Sequence, residues 1–256
     1  MMNYDYIKQG DCLELMKEIP DKSIDMILCD LPYGVTALKW DKTIDINKLW
    51  AQYKRIIKDN GAIVLFGNEP FSSLVRCSNL EMYRYDWIWK KHKPSNFQLM
   101  NYQCGRITEN IMVFSKGKAC YTSNGNNMIY NPQKTVRNKI RKANAKIYGN
   151  TDENILNDYK TKDNFKKYSF KQPTNILEFK PVYKNRLMPT QKPVELCEYL
   201  IKTYTNKDGI VLDNCMGSGT TCVACINTNR HYIGFEIDEK HYNTAKERIE
   251  KAIGNR

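Results

Sequence analysis

Two short stretches carry residue types that could do chemistry. Asp30-Leu31-Pro32-Tyr33-Gly34 closes the apolar, β-branched run Ile24 to Asp30 and offers a carboxylate, a backbone carbonyl, a proline and an aromatic ring. The proline fixes φ and removes a donor, so the acceptors sit on a rigid frame. Such a frame can hold a planar group that carries N–H donors. Taken alone, the tetrapeptide is equally an ordinary turn after a strand. The second stretch, Ile210 to Thr221, sets Gly217 and Gly219 between a strand and a helix, where the missing Cβ lets backbone approach a ligand. Glu236 ends the next apolar run, about 20 residues on, where an acid accepts hydrogen bonds from ribose hydroxyls. Cys222 stands where a dinucleotide fingerprint has its third glycine, so nothing demands a pyrophosphate. A lone GxG is about as often a tight turn.

The elements that must position these loops are legible as alternating runs. Ile24 to Asp30 and Ala62 to Phe66 read as buried strands, with further strands at Asp86 to Lys90 and Ile111 to Phe114. Between the first two, Ile46, Leu49, Tyr53, Ile56 and Ile57 share one face of a helix to Lys58, which Asn60-Gly61 is expected to stop. Pro193 opens a helix faced by Leu196, Cys197, Leu200, Ile201 and Tyr204. A βαβ unit follows: strand Gly209 to Asp213, Gly-rich turn, helix, strand Tyr232 to Ile237, and a closing helix to Ala252. The alternation predicts an α/β sheet.

From Lys116 to Lys171 the apolar periodicity fades. This stretch holds 13 Lys/Arg against 4 Asp/Glu, so +9 of the chain's net +12 is concentrated in about a fifth of its 256 residues. Localised positive charge favours a polyanionic partner, because each neutralised phosphate releases counterions. Surplus lysine also simply solubilises a protein, but the interleaved Tyr121, Tyr130, Tyr148, Tyr159, Phe165, Tyr168 and Phe170 argue for a surface that folds. The nine cysteines lack zinc-site or disulfide-framework spacing, and Cys222 and Cys225 are expected to pack on one helix face. His92, His231 and His241 form no ligand cluster, so no metal is expected. The N-terminus has no basic-then-apolar signal and no apolar run approaches the ~18 residues of a membrane span, so the expected site of action is the cytoplasm.

Together these words resemble the β-type amino DNA methyltransferases. Asp213 to Thr221 is similar to their S-adenosylmethionine motif, usually Asp-Pro-Phe-x-Gly-Ser-Gly-Thr-Thr, with Asn214 and Cys215 replacing Pro-Phe. Pro189-Thr190-Gln191-Lys192-Pro193 resembles their His-Pro-Thr-Gln-Lys-Pro element, with Met188 replacing His. Asp30-Leu31-Pro32-Tyr33 resembles the catalytic Asp-Pro-Pro-Tyr of adenine enzymes, and Gly10-Asp11-Cys12 the family's opening. Asp86 to Lys91 and Glu109 to Phe114 look like its later core strands.

The resemblance implies an α/β fold, a Rossmann-like S-adenosylmethionine-dependent methyltransferase sheet with a small inserted target-recognition region. Residues 1–115 and 185–256 would form the catalytic domain and 116–184 the basic insertion. It implies S-adenosyl-L-methionine held by Asp11, Cys12, Asp30, Asp213, Met216, Gly217, Ser218, Gly219, Thr220, Thr221 and Glu236, with Thr190, Gln191 and Lys192 on the methionine carboxylate. Asp30 and the Leu31 carbonyl would accept the two N–H groups of the adenine N6 amine, Pro32 would fix the loop, and Tyr33 would stack on the flipped base. Lys90, Asn96 and Phe97, with Arg137, Lys139, Arg141 and Lys142 of the insertion, would contact double-stranded DNA. A homodimer and a partner restriction endonuclease stay open. The nearest alternative is N4-cytosine methylation, whose enzymes usually carry Ser where Asp30 stands. Methylation of RNA or a protein amide, and a nonenzymatic nucleic-acid binder, are the others.

Overall fold

A computed structural model describes residues 4–34, 43–120, 122, 125–144, 165–184 and 186–255, without the side chains of 139–144 and 165–168. Tyr121, Lys139, Arg141, Lys142, Tyr148, Tyr159, Phe165 and Tyr168 of the expected basic surface lie wholly or by side chain outside that description. In chain order the elements are β1 (Tyr6–Gln9), α1 (Cys12–Leu15), β2 (Ile24–Cys29), α2 (Ile46–Ile56), β3 (Ile57–Gly67), α3 (Phe71–Ser78), β4 (Tyr83–Lys90) and β5 (Thr108–Phe114). There follow β6 (Thr135–Asn144), β7 (Phe165–Lys171), β8 (Ile176–Glu178), α4 (Val194–Tyr204), β9 (Ile210–Asp213), α5 (Thr220–Thr228), β10 (His231–Glu236) and α6 (Glu239–Gly254).

Eight strands form one sheet in the order β1-β10-β9-β2-β3-β5-β4-β8, and β5 runs against both its neighbours. The other seven point the same way. Because β2 pairs directly with β9, Ile27 opposite Leu212, the loops after these two strands leave the same edge of the sheet side by side. This is where the chain's two halves diverge, the place an open α/β sheet forms a ligand crevice.

Successive side chains of a strand point to opposite faces, and here both faces are covered. Met26 and Leu28 pack with Leu196, Leu200, Ala224 and Ile249 under α4, α5 and α6. Ile27 and Cys29 pack on the other side with Met16, Leu49, Tyr53 and Val75 of the α1–α3 layer. Each fully buried Ile or Leu contributes about 1.5–3 kcal/mol. That stability is what holds two long-range loops at one edge.

The expected helix to Lys58, stopped by Asn60-Gly61, is shorter than read. Ile57 is already extended (φ −73, ψ 137) and pairs with Ile24, so β3 begins directly at the helix end. Asn60-Gly61 instead lies within β3, beside the irregularity between Ile24 and Met26, and a Cβ on Gly61 would sit 2.7 Å from the Asp25 carbonyl oxygen. The glycine serves a close backbone approach, not a helix cap.

The chain divides into two compact units, residues 1–131 with 175–256, and 132–174. The second is shorter than the expected 116–184 insertion because flanking apolar residues join the main core. Met128 and Leu177 are buried there, and the Asn131 amide donates to the Thr205 carbonyl at 3.1 Å. Within 132–174, β6 and β7 pair antiparallel, and the unit's sequence carries a net +7, from 11 Lys/Arg and 4 Asp/Glu. Cys222 and Cys225 are fully buried on α5, as their spacing predicted. No described helix is long and apolar enough to cross a membrane.

Candidate active site

The loop after β2, the turn after β9, the segment before α4, and the ends of β1 and β10 enclose a cavity of about 600 Å³. Asp30, Leu31, Pro32 and Tyr33 line it together with Thr190, Gln191, Lys192, Met216, Gly217, Ser218 and Glu236. Asp11, Cys12, Asp213, Thr220 and Thr221 also face it. Two loops some 180 residues apart in sequence therefore meet at one cleft.

On the β9 side the turn is built from backbone. Gly217 has φ +52 and Gly219, which starts α5, has φ +73. The Gly217 N–H donates to Glu236 Oε2 at 2.8 Å and the Asp238 N–H to Oε1 at 2.9 Å. Glu236 thus fixes the turn, and each of its oxygens retains acceptor capacity toward the cavity. Met188, in place of the expected histidine, puts its thioether 3.3 Å from the Ser218 nitrogen. Arg248 of α6 reaches back to the Ser218 carbonyl at 3.0 Å and the Thr220 hydroxyl at 2.9 Å. Asn214, the residue found where proline is usual, is buried and accepts from the Tyr53 hydroxyl at 2.6 Å. Burial pushes the Asp213 carboxyl up to about 7, against hydrogen bonds that include the Thr221 hydroxyl.

On the β2 side a chain of buried charges surrounds Asp30. Its Oδ1 accepts from the Tyr33 hydroxyl at 2.7 Å, and its Oδ2 is held by the Lys192 ammonium. The same ammonium stands 3.1 Å from Glu109 Oε1, while Glu109 Oε2 is 2.6 Å from Lys91 Nζ. Glu109 is only 4% exposed, so these charges are taken out of water and depend on one another. Burial pushes the Asp30 carboxyl above its ordinary range, with Lys192 pulling against it. Burial acts the same way on Glu109, but Lys192 and Lys91 outweigh it and hold that carboxyl below its usual value. Burial would lower Lys192, yet Asp30 and Glu109 together keep it well above the ordinary lysine range. A carboxylate has about four lone-pair sites, so Asp30, with two engaged, can still accept an incoming N–H.

Most of the residues expected at the site have partners within the chain itself. Lys192, expected on a methionine carboxylate, bridges Asp30 and Glu109 within the chain. Gln191 lines the cavity but turns its carbonyl oxygen to the Leu187 N–H at 2.8 Å. Asp11 caps α1 through the Leu13 N–H at 2.8 Å. The Tyr33 ring stacks on Phe71, with centroids 4.6 Å apart. Asn96, expected to touch DNA, is buried and braces its own loop, accepting from the Arg106 N–H at 2.6 Å and donating to the Cys104 carbonyl at 3.1 Å. Lys90 pairs with its cross-strand neighbour Glu178 at 2.8 Å, and Arg137 donates to the Phe170 carbonyl at 2.9 Å. Phe97 is exposed. Sequence reasoning missed Glu109, Lys91 and Arg248 as site residues. The acid opening the apolar run Glu109 to Phe114 was the one available signal for the first.

The sheet order and the cleft at its β2/β9 edge define the fold of S-adenosylmethionine-dependent methyltransferases. The crystal structure of the M1.HpyAVI–SAM complex superposes with a TM-score of 0.62 and 26% identity, covering 94% of this chain and 98% of that one. The cytosine-N4-specific PvuII DNA methyltransferase, at 15% identity and TM-score 0.63, shares the fold. The DNA methylase family profile matches residues 24–247, and the chain belongs to that N6/N4 family. It is 29% identical to the type II methyltransferase M.HpaI of Haemophilus parainfluenzae, over 94% of this chain and 73% of the relative. It is also 29% identical to the DNA adenine methyltransferase YhdJ of Escherichia coli K12, over 96% and 83% of the two chains.

S-adenosylmethionine fits the residues present. The cavity volume is in the range of small-ligand pockets. Gly217 lies at φ +52, and a Cβ there would also press 2.5 Å from Met188 Sδ, so glycine suits the turn where a ligand must come close. When bound, the cofactor supplies an electrophilic methyl group on a sulfonium. Gly217→Ala adds both that clash and a left-handed backbone cost of about 1–2 kcal/mol. The expected result is S-adenosylmethionine binding weakened by about tenfold in a calorimetric titration, while affinity within twofold of wild type would remove Gly217 from the cradle.

Proposed function

We propose that this protein methylates the N6 amine of adenine at a specific site in double-stranded DNA, after rotating that base out of the helix. The observation that carries the reading is Asp30, a carboxylate set at the cavity by Lys192 and Tyr33. The lone pair of an adenine amine is delocalised into the ring, which makes it a poor nucleophile. Accepting hydrogen bonds from its N–H groups draws the nitrogen toward tetrahedral geometry, and Asp30 supplies one acceptor with the Leu31 carbonyl as the other. The reaction then needs positioning and hydrogen bonding more than any further group. A stacked base never reaches this cavity, so flipping is required, and ring contacts worth about 1–3 kcal/mol help offset its cost. The likeness to YhdJ, named an adenine methyltransferase, supports adenine over cytosine.

The test is direct detection of modified bases in DNA from cells expressing the protein. N6-methyladenine in one sequence context is the expected result; N4-methylcytosine, or no methylated base, would sink the assignment. The nine free cysteines support action in a reducing cytoplasm, and the type II name of M.HpaI supports a partner restriction endonuclease reading the same site. A homodimer belongs to the same reading.

The +7 unit 132–174 is the proposed target-recognition region. Neutralising Arg137, Lys139, Arg141 and Lys142 together should weaken DNA binding and flatten its log–log salt dependence by about 0.9 for each phosphate that is no longer neutralised. Fluorescence-anisotropy titrations at several salt concentrations measure this, and an unchanged slope rejects the assignment.

A further inference from the structure

The loop between β4 and β5, residues 91–107, is ordered by its own interior and apolar on its outside. Asn96 is 9% exposed and staples the loop through Cys104 and Arg106. Ser95 adds a backbone bond to the Arg106 carbonyl, and Tyr102 and Gln103 fold back on the Leu99 carbonyl. Yet Tyr102 is 89% exposed, Phe97 70%, Met100 50% and Leu99 46%. On the adjoining strand, Trp87 and Trp89 are buried with both indole N–H groups satisfied. A loop that hides its asparagine and shows its tyrosine and phenylalanine is built to meet a partner.

Charge and position identify that partner. Residues 91–107 contain Lys91, Lys93, Arg106 and His92 and no acid, and Lys93, Arg106 and His92 are exposed. The first residue of the loop, Lys91, holds Glu109, which holds Lys192, which holds Asp30. The loop therefore springs from the edge of the sheet that carries the cleft, joined to the catalytic carboxylate by that run of ion pairs. Pulling a base from a duplex leaves a gap in the stack, and proteins that deform DNA fill such gaps with apolar wedges. We infer that loop 91–107 inserts Tyr102 and Phe97 into the base stack of the target duplex, occupying the space that the flipped adenine leaves. The inference rests on the base-flipping reading above. Asn96 and its bonds keep the loop stiff enough to hold the wedge in place, which limits the ordering cost on binding.

The experiment compares wild type with Tyr102→Ala, Phe97→Ala and the double variant on two duplexes. In one the target adenine is fully paired; in the other it faces an abasic site, where little pairing opposes extrusion. Tritiated-methyl transfer by the double variant should fall at least about tenfold on the paired duplex and stay within about twofold of wild type on the abasic one. Equal loss on both duplexes, or none on either, overturns the wedge. So does a shift in oligomeric state by sedimentation, which would make the patch a contact between copies of this chain. If wild type itself methylates cytosine or no DNA base, the adenine reading fails, an outcome distinct from failure of the wedge. Thermal melting of the variants should match wild type, because neither side chain is buried.

Discussion

Asp30→Asn reduces kcat for methyl transfer by about 10²–10³-fold, the usual cost of removing one oriented electrostatic contact to a reacting group. Binding of S-adenosylmethionine should survive within a few-fold. The substitution keeps the shape of the loop and one acceptor oxygen but puts an amide NH₂ where Oδ1 or Oδ2 stood. One of those oxygens accepts the Tyr33 hydroxyl and the other faces the Lys192 ammonium, so the NH₂ either opposes that ammonium or makes the Tyr33 hydroxyl turn and accept, and in both cases the ionised acceptor is lost. The proposed second acceptor of the substrate amine, the Leu31 carbonyl, is unaffected, which is why the loss is bounded. Tritiated-methyl kinetics and calorimetry with the cofactor separate the two effects. Activity near wild type would mean that the amine is held elsewhere, and loss of cofactor binding in proportion would make Asp30 a structural residue of the pocket.

The second large effect is on stability and its pH dependence. Lys192→Met removes the cation shared by Asp30 and Glu109, leaving Glu109 with Lys91 and Asp30 with none. Breaking a buried pair from one side costs about 3–5 kcal/mol, because the remaining charge is uncompensated. In a chain of this size that lowers Tm by roughly 6–20 °C. The sign with pH follows from the carboxyls. Asp30 already lies above its ordinary value through burial, and losing Lys192 raises it further. A group raised on folding contributes stability below its unfolded pKa and loses it as pH rises through the folded one. Glu109 is depressed in the native protein, so its contribution is present above its unfolded pKa and lost as pH falls. The variant forfeits much of that as well. The deficit should therefore grow as pH rises, read from urea unfolding at pH 4.5 and pH 8. The acidic limb of the kcat–pH profile should move upward in parallel if Asp30 has the proposed role, since the ionised carboxylate is much the stronger acceptor. A deficit that does not change with pH would show that Lys192 stabilises through its stem and its cation–π contact with Phe66 rather than through the two carboxylates.

The two loops were legible because each is a contiguous word: acid, rigid turn and ring after one strand, glycines after another. Their meeting was legible only through the resemblance, since strand pairing across some 185 residues, such as Met26 with Val211, leaves no mark in local periodicity. The same holds for the site residues that the sequence hides. Glu109 and Lys192 are 83 residues apart, and neither has an environment until the sheet places β5 beside β3. The departure at Asn214 finds its reason in the hydroxyl of Tyr53, 161 residues earlier. Asn60-Gly61 misleads for the opposite reason. A helix-stopping pair and a glycine required by a neighbouring carbonyl look alike in one dimension, and only the Asp25 oxygen distinguishes them. Asn96 resembles a polar surface reader because its burial depends on two carbonyl and amide partners within its own loop.

Both places where the chain leaves and re-enters the main body are tied to it. Asn131 is bound to the backbone at the end of α4, and the Asn175 carbonyl accepts the Ile88 N–H at 2.7 Å just before β8. With the exits anchored, residues between them can lengthen, shorten or change composition without altering the register of any strand that bears the cleft. If the segment is the proposed recognition region, descent can rewrite what it reads by exchanging that one stretch, while the cleft that holds Asp30 is inherited intact.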